Sequence, residues 1–526
     1  MDEINQRYFD GLISLRKNNK KSDRLIIGEN IFFTLNNVPV HSYQDLKKKE
    51  ATYSKIAKEC SLWLKKAQGG GGTSIKRDSY LKKLRKSEHL GAKGTDLYAK
   101  LGEKSEDLVS LAELQILQAV ESLSLNEFGE IFFDDLVGVE SQSAIKKIWG
   151  KKAWIDKNYS YDSLNKKYQN FHKFKETLQA RLPTLDNCGE LTLKRQAPGG
   201  HAFFAFESLL SAVEKKSLPP AKFKSLVSVI GNGEDLGSTP DGIVIGWVID
   251  EKIPIAMITT EKTEIDLKGG QIVCQKNPNG ITRVTILEQA QAKEAGQLEI
   301  FEKNHGLFNT NVATFNYEVL VPKLFRLRDK IGFEAFEKAI VPTLVSNKKS
   351  QKEEDGEIQV YEQLEGAMGS TLLNLDAAHR FAFNEPLVHF VNIERQNRTR
   401  FFSPVKTAFD FFMLFYSDRF SLNQKTFRLT DNRPGALPLI NLQDPYYMEV
   451  QNILDAFEGT EILELDHLSI VGPPVTLNGL KLQGKVSILN SSESLVNLEK
   501  KFREKGLKEL KNQSLRITPQ GELIIS

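Results

Sequence analysis

Short apolar runs that break into glycine turns, alternating with helical stretches, constrain this chain more than any other feature. GEIFFDDLV (129–137) is an apolar run ending in carboxylates, FKSLVSVIGNG (223–233) runs into a glycine turn, and IPIAMITT (253–260) is a third. Between them, SEDLVSLAELQILQAVESL (105–123), SQSAIKKIWGKK (141–152), 201–215 and 241–250 read as helices. Runs apolar on both faces predict strands covered on both sides. Their alternation with helices from about 65 to 430 predicts an α/β fold with a mainly parallel sheet. Ligands of such sheets sit beyond the carboxyl ends of the strands, where these glycine turns fall. The polar stretch NKKSQKEEDGE (347–357) reads as an exposed loop, and residues 1–66 as mainly helical with a short strand near 25–35. From about 440 the character changes. EILELDHLSIVGPPVTLNGLKLQGKVSIL (461–489) consists of short β runs, predicting stacked coils with a period near six. The expected division is a mainly helical segment (1–64), an α/β domain (65–440) and a C-terminal β-helix-like domain (441–526).

Bulk properties exclude several classes. With 71 basic and 68 acidic residues the formal charge is +3, which leaves no electrostatic footprint for nucleic acid or a membrane surface. Cys60, Cys188 and Cys274 are far apart and form no C-x-x-C, so neither a disulfide framework nor a zinc site is expected. The N-terminal MDEINQRYFD has no apolar signal region, and no run of about 18 apolar residues occurs. A cytoplasmic location is the expectation.

QGGGGTSIKR (68–77) follows an apolar, helix-like stretch. Consecutive glycines permit positive φ and leave backbone N–H groups free to form an anion-binding nest; a flexible linker is the plainer alternative. The chain has no G-x-x-x-x-G-K-[ST]. GNGEDLG (231–237) is one residue off the dinucleotide fingerprint, so a nicotinamide reading stands as a rival. Glu234 and Asp235 inside that turn would repel a pyrophosphate unless a cation lay between. A divalent ion shared by a carboxylate and phosphates fits better.

In chain order these motifs resemble those of the UDP-sugar pyrophosphorylase family, and most nearly its eukaryotic-type UTP–glucose-1-phosphate uridylyltransferases, over roughly residues 60–490. The resemblance implies a Rossmann-like nucleotide-diphosphosugar transferase domain of the glycosyltransferase A type, followed by a β-helix-like unit. It also implies an enzyme that uses Mg²⁺ to join a sugar 1-phosphate to UTP, releasing a UDP-sugar and pyrophosphate.

Site residues follow motif by motif. QGGGGTS (68–74) is similar to N-G-G-L-G-T-S, which implies a nucleotide cradle at Gly69, Gly70, Gly71, Gly72 and Thr73, with Gly71 replacing leucine. GAKGTDLY (91–98) is similar to the family's P-K segment, making Lys93 the phosphate-binding lysine, with Lys76 as the alternative. In EIFFDDL (130–136), Phe133 stands where the family has a base-contacting methionine. TLQARLP (177–183) makes Gln179 the uracil reader, since an amide pairs with both a donor and an acceptor; without the resemblance, Gln179 is one polar residue on a helix. QAPGGHAFF (196–204) supplies Gly200 and His201, with Phe203 replacing an aspartate. GNGEDLGSTPD (231–241) supplies Asn232 and puts Glu234 at the metal-associated carboxylate, with Asp235 able to take that role. TEKTEIDLKGGQIV (260–273) contributes Asp266 to the metal and Lys268 to the substrate phosphate. GITRVTILEQAQ (280–291) and GLFNTNVATF (306–315) supply Glu288, Asn309 and Asn311 as sugar readers, with Val312 replacing an asparagine. RTRFFSPVKTAFD (398–410) supplies Lys406, a point cation suited to developing phosphate charge.

The expected reaction is in-line attack by the sugar-phosphate oxygen on the α-phosphorus of UTP, with glucose 1-phosphate the favoured partner. N-acetylhexosamine or galactose 1-phosphate is the alternative within the family. A non-catalytic nucleotide-sugar-binding relative is the alternative of another class, motivated by the departures at Gly71, Phe203, Glu234 and Val312. A homo-oligomer is left open.

Overall fold

The computed structural model describes residues 2–18, 25–69, 75–84, 91–101, 108–150, 169–214, 218–263, 266, 269–277, 280–352, 358–435 and 437–525. Contacts group the chain into two compact units. The first comprises Met1–Gly70, Ala119–Asn232 and Ser238–Glu394; the second comprises Gly71–Gln118, Gly233–Gly237 and Arg395–Ser526.

Within the first unit, the described residues build an eleven-stranded sheet. Its main path runs Val40–Ser42, Val388–Ile393, Ile255–Glu261, Leu307–Asn316, Ser225–Asn232, Cys60–Gln68, Glu130–Val137 and Phe171–Leu178. Neighbours are parallel except around Leu307–Asn316, which is antiparallel to both of its neighbours. Val229, Leu64, Phe133 and Lys173 sit side by side across the sheet. Three of these strands are the apolar runs read from the sequence, because burial on both faces removes the need for polar alternation.

Helices cover the sheet closely. Gly246 on the Gly242–Asp250 helix faces the Tyr53 carbonyl of the Glu50–Ala57 helix so closely that any Cβ would collide with it. The Ala202–Val213 helix is buried along its whole length. The N-terminal helix Glu3–Asn18 adds Tyr8, Phe9 and Leu12 to the same apolar core. No helix among the described residues is long and apolar enough to cross a membrane.

Three expectations are corrected here. The stretch before the glycine run is the strand Cys60–Gln68, not a helix-like segment. Its lysines disguised it: Lys65 and Lys66 are 0% and 1% exposed. The Lys65 ammonium pairs with Glu207 at 3.4 Å, donates to the Ser208 hydroxyl, and lies 4.1 Å from the centre of the Trp63 ring. Residues 347–352 are not loop but part of the strand Leu344–Lys352, paired antiparallel with Ile358–Gly366; 353–357 lie outside the described residues. Gln179 is not helical, since it follows the strand Phe171–Leu178 directly.

In the second unit, Leu439–Leu442, Leu465–Val471, Lys481–Asn490 and Ser514–Ile517 stack in parallel, and Leu523–Ile525 closes the stack antiparallel. Leu442, Ile470, Ile488 and Leu515 form one ladder through the coils. The steps along that ladder are uneven, so the coils are present but no uniform six-residue period runs through them.

Candidate functional site

In the first unit, three parallel strands end side by side: Cys60–Gln68, Glu130–Val137 and Phe171–Leu178. Gly69, Gly138 and Gln179 follow these ends directly. A Cβ on Gly69 would come within 3.1 Å of the Gly138 nitrogen and 3.3 Å of Gln179 Oε1, so a side chain there would crowd both neighbours. Gly70, Gly71, Gly72 and Thr73 lie outside the described residues. Gln179 is 3% exposed; its backbone N–H donates to the Val137 carbonyl at 2.9 Å, and its side-chain amide donates to the Gly200 carbonyl. Gly200 has φ +86° and sits against the Gly366 backbone, where any side chain would be strained and crowded. His201 follows as the N-cap of the Ala202–Val213 helix. Phe133 packs into the core against Trp149 and Phe171.

The other first-unit residues are anchored in different ways. Asn232 ends its strand, and its carbonyl accepts from the Ser238 hydroxyl at 3.2 Å. Asn309 Nδ2 donates to Asn311 Oδ1 at 2.8 Å across an irregularity in the strand pairing, with Asn311 at φ +60°. Glu288 closes the strand Thr282–Glu288 and caps the next helix, its backbone N–H donating to Gln291 Oε1 at 2.9 Å. Asp266 is buried, and one carboxylate oxygen accepts from the Thr263 N–H and hydroxyl at 2.9 and 2.8 Å. Lys268 lies outside the described residues. Lys262, unmarked among its neighbours in sequence, ties down the carbonyls of Phe301, Glu302 and Asn304.

The second unit gathers three sequence-distant segments. The turn Gly233–Gly237 is stitched to residues 402–405: Asp235 Oδ1 accepts from the Ser403 and Gly237 N–H groups at 2.7 and 2.9 Å, and the Glu234 carbonyl accepts from the Val405 N–H at 3.3 Å. A Cβ on Gly237 would lie 2.5 Å from the Phe402 nitrogen. Lys93 Nζ donates to the Val405 carbonyl at 3.0 Å. Lys406 follows Val405; its N–H donates to Asp410 Oδ2 at 3.0 Å, and its ammonium lies 5.1 Å from the centre of the Phe402 ring. Lys93 and Lys406 are thus brought to one short loop, beside a turn that carries Glu234 and Asp235. Asp235 is fully buried and serves the loop backbone, whereas Glu234 is half-buried. Lys76 instead runs its backbone alongside Met448 and Val450.

Sequence reasoning missed what holds Lys93. Arg77 is 2% exposed, reaches Asp96 Oδ2 at 3.2 Å and donates to the Gly91 carbonyl, while Asp96 accepts from the Gly91 N–H at 2.8 Å. The basic pair ending QGGGGTSIKR was its only signal.

The family model described as UTP–glucose-1-phosphate uridylyltransferase matches residues 164–479. The UTP–glucose-1-phosphate uridylyltransferase of Saccharomyces cerevisiae is 29% identical over 343 residues, covering 65% of this chain and 62% of that protein. The one from Astragalus penduliflorus is 30% identical over 339 residues, covering 62% and 63%. The chain therefore spans less than two-thirds of the length of these curated relatives. Among solved structures, UDP-glucose pyrophosphorylase from Leishmania major, crystallised as a mutant with UDP-glucose, superposes with a TM-score of 0.66 at 18% identity, covering 98% of this chain and 96% of that one. A Trypanosoma brucei structure described as UDP-glucose phosphorylase gives 0.66 at 19% identity, covering 97% and 95%. The matched model spans more than half of the sequence: this chain belongs to the UTP–glucose-1-phosphate uridylyltransferase family.

Proposed function

We propose that the chain transfers a uridylyl group from UTP to glucose 1-phosphate, giving UDP-glucose and pyrophosphate. The observation that carries this reading is that Lys93 Nζ bonds the carbonyl of Val405, the residue before Lys406, which brings both lysines to one loop. The names of the matched relatives and the UDP-glucose in the Leishmania major structure support the choice of substrates.

The chemistry needs little covalent help. An oxygen of the sugar phosphate attacks the α-phosphorus, the new P–O bond forms, and the bond to the pyrophosphate oxygen breaks with its electron pair leaving on pyrophosphate. The obstacle is repulsion between two polyanions, so catalysis reduces to positioning and charge neutralisation. Lys93 would hold the pyrophosphate portion, Lys406 would neutralise charge on the reacting phosphates, and the Gly69 backbone, Gln179 and Gly200 would seat the nucleotide. Asn232, His201, Lys268, Glu288, Asn309 and Asn311 would orient the sugar phosphate.

Magnesium is the ion this reading calls for, since it takes one or two carboxylates and completes its shell with phosphates and water. Glu234 and Asp266 would supply the carboxylates. When bound, the ion would polarise the α-phosphate. A cytoplasmic location accompanies this reading.

The test is pyrophosphate release with UTP and a panel of glucose, galactose and N-acetylglucosamine 1-phosphates. The expected result is release greatest with glucose 1-phosphate. Release with none of them, while UDP-glucose still binds, would replace the enzyme with a nucleotide-sugar-binding module.

A further inference from the structure

The N-terminal helix Glu3–Asn18 lies outside the span that the family model matches, yet it reaches both segments assigned to the base. Asn5 is 2% exposed. Its amide nitrogen donates to the Leu178 carbonyl at 3.2 Å and to Asp2 Oδ1 at 3.0 Å, and its amide oxygen accepts from the Ala180 N–H at 2.9 Å. Leu178 and Ala180 are the residues immediately before and after Gln179. One helical turn further on, the Tyr8 hydroxyl donates to the Gly199 carbonyl at 2.8 Å. The Tyr8 ring stands edge-on to Phe203 and Phe206, with centroids 5.4 and 5.3 Å apart, on the helix that Gly200 leads into. The Gly200 carbonyl in turn accepts from the Gln179 amide. One helix therefore brackets Gln179 in sequence and also fixes the residue next to its hydrogen-bond partner.

An amide reads a pyrimidine by direction. Uracil presents an N–H donor beside a carbonyl acceptor, and cytosine presents a ring-nitrogen acceptor beside an amino donor. An amide held in one orientation distinguishes them; one able to turn over by 180° serves both. Selectivity then depends on whatever prevents the turn, because the wrong base leaves buried polar groups unpaired only when the site cannot rearrange.

We propose that Asn5 and Tyr8 are positioning residues that lock the orientation of Gln179, making the N-terminal helix a determinant of uracil-over-cytosine selectivity. This rests on the reading that Gln179 and Gly200 seat the nucleotide. Both side chains are buried and hydrogen-bonded to main chain that flanks the reader, so loosening either acts on Gln179 without removing a group that touches the ligand.

The experiment compares the full chain with Tyr8→Phe and Asn5→Ala. Titration calorimetry measures UTP and CTP affinity, thermal melting monitors folding, and pyrophosphate release with glucose 1-phosphate runs in parallel. Tyr8→Phe keeps the ring and its packing, so it tests the hydroxyl even if Asn5→Ala folds poorly. The expected result is a UTP-to-CTP affinity ratio reduced roughly fivefold in each variant, the scale of one lost hydrogen bond. An unchanged ratio in a folded Tyr8→Phe protein would overturn the proposal, as would equal weakening toward both nucleotides. An unmodified chain that binds neither nucleotide and releases no pyrophosphate would instead defeat the functional reading on which the proposal rests, and the proposal with it.

Discussion

Two lysine pairs show how differently the two units use the same side chain. In the first unit, Lys65 and Lys66 sit side by side in a central strand, fully buried, and their ammonium groups are consumed by the fold. Lys65 is taken by Glu207 and Ser208, and Lys66 by the carbonyl and hydroxyl of Ser238. In the second unit, Lys93 bonds the Val405 carbonyl next to Lys406 in the chain, and both lysines are half-buried. Lys65 is surrounded by carboxylate, hydroxyl and aromatic ring inside the fold, whereas Lys93 is anchored on a loop carbonyl and Lys406 stands on that loop, where we propose that both serve an anion. Burial and partners separate the two uses, and residue type does not.

Substitutions should break the comparison if it is wrong. Lys65→Met removes a buried partner of Glu207, whose carboxyl burial would push up but which Lys65 and Lys175 together carry down to about 2. Leaving such a group less compensated costs about 3–5 kcal/mol, at the lower end here because Lys175 remains 2.7 Å away. Urea unfolding should show that loss, while the protein that stays folded keeps its turnover. Gly237→Ala sharpens the contrast from the other unit. A methyl group 2.5 Å from the Phe402 nitrogen must displace the loop that leads to Lys406. We expect about 1–3 kcal/mol of destabilisation together with reduced turnover, read by melting and by pyrophosphate release.

A smaller effect on melting is expected from pH. Burial raises Asp135 in the first unit to about 7, against a hydrogen bond from Trp149 that pulls it down. A carboxyl whose folded value lies above its unfolded value of about 3.9 stabilises fully below that value, and the contribution is lost as pH rises through about 7. Asp135→Asn has no such titration. The melting temperature of the parent chain relative to this variant should therefore fall by roughly 2–4 °C between pH 4.5 and pH 8. A constant difference would mean that Asp135 does not titrate in the fold.

The buried parallel strands were legible because strands such as Ser225–Asn232 and Ile255–Glu261 are apolar runs ending in turns. Cys60–Gln68 was not, since its two lysines look solvated until Glu207 and Ser238, far away in sequence, are brought to them. The Leu344–Lys352 strand is polar from Ser346 onward and carries no periodic signal there. Motif order singled out Lys93 and Lys406 as candidates, and the structure adds that Lys93 bonds the carbonyl of Val405, the residue before Lys406. Asn5 and Tyr8 left no trace, because the partners that tie them to the candidate site lie beyond residue 170 and nothing on an ordinary amphipathic helix marks a side chain that reaches so far along the chain.

The most direct measurement is the kinetics of Lys406→Ala alongside its unfolding free energy. The account predicts unchanged stability with kcat/KM for pyrophosphate release reduced roughly 100- to 1,000-fold, the loss typical of one preorganised electrostatic group. Near-parental turnover in a stably folded Lys406→Ala protein would contradict it, and would make this lysine as structural as Lys65.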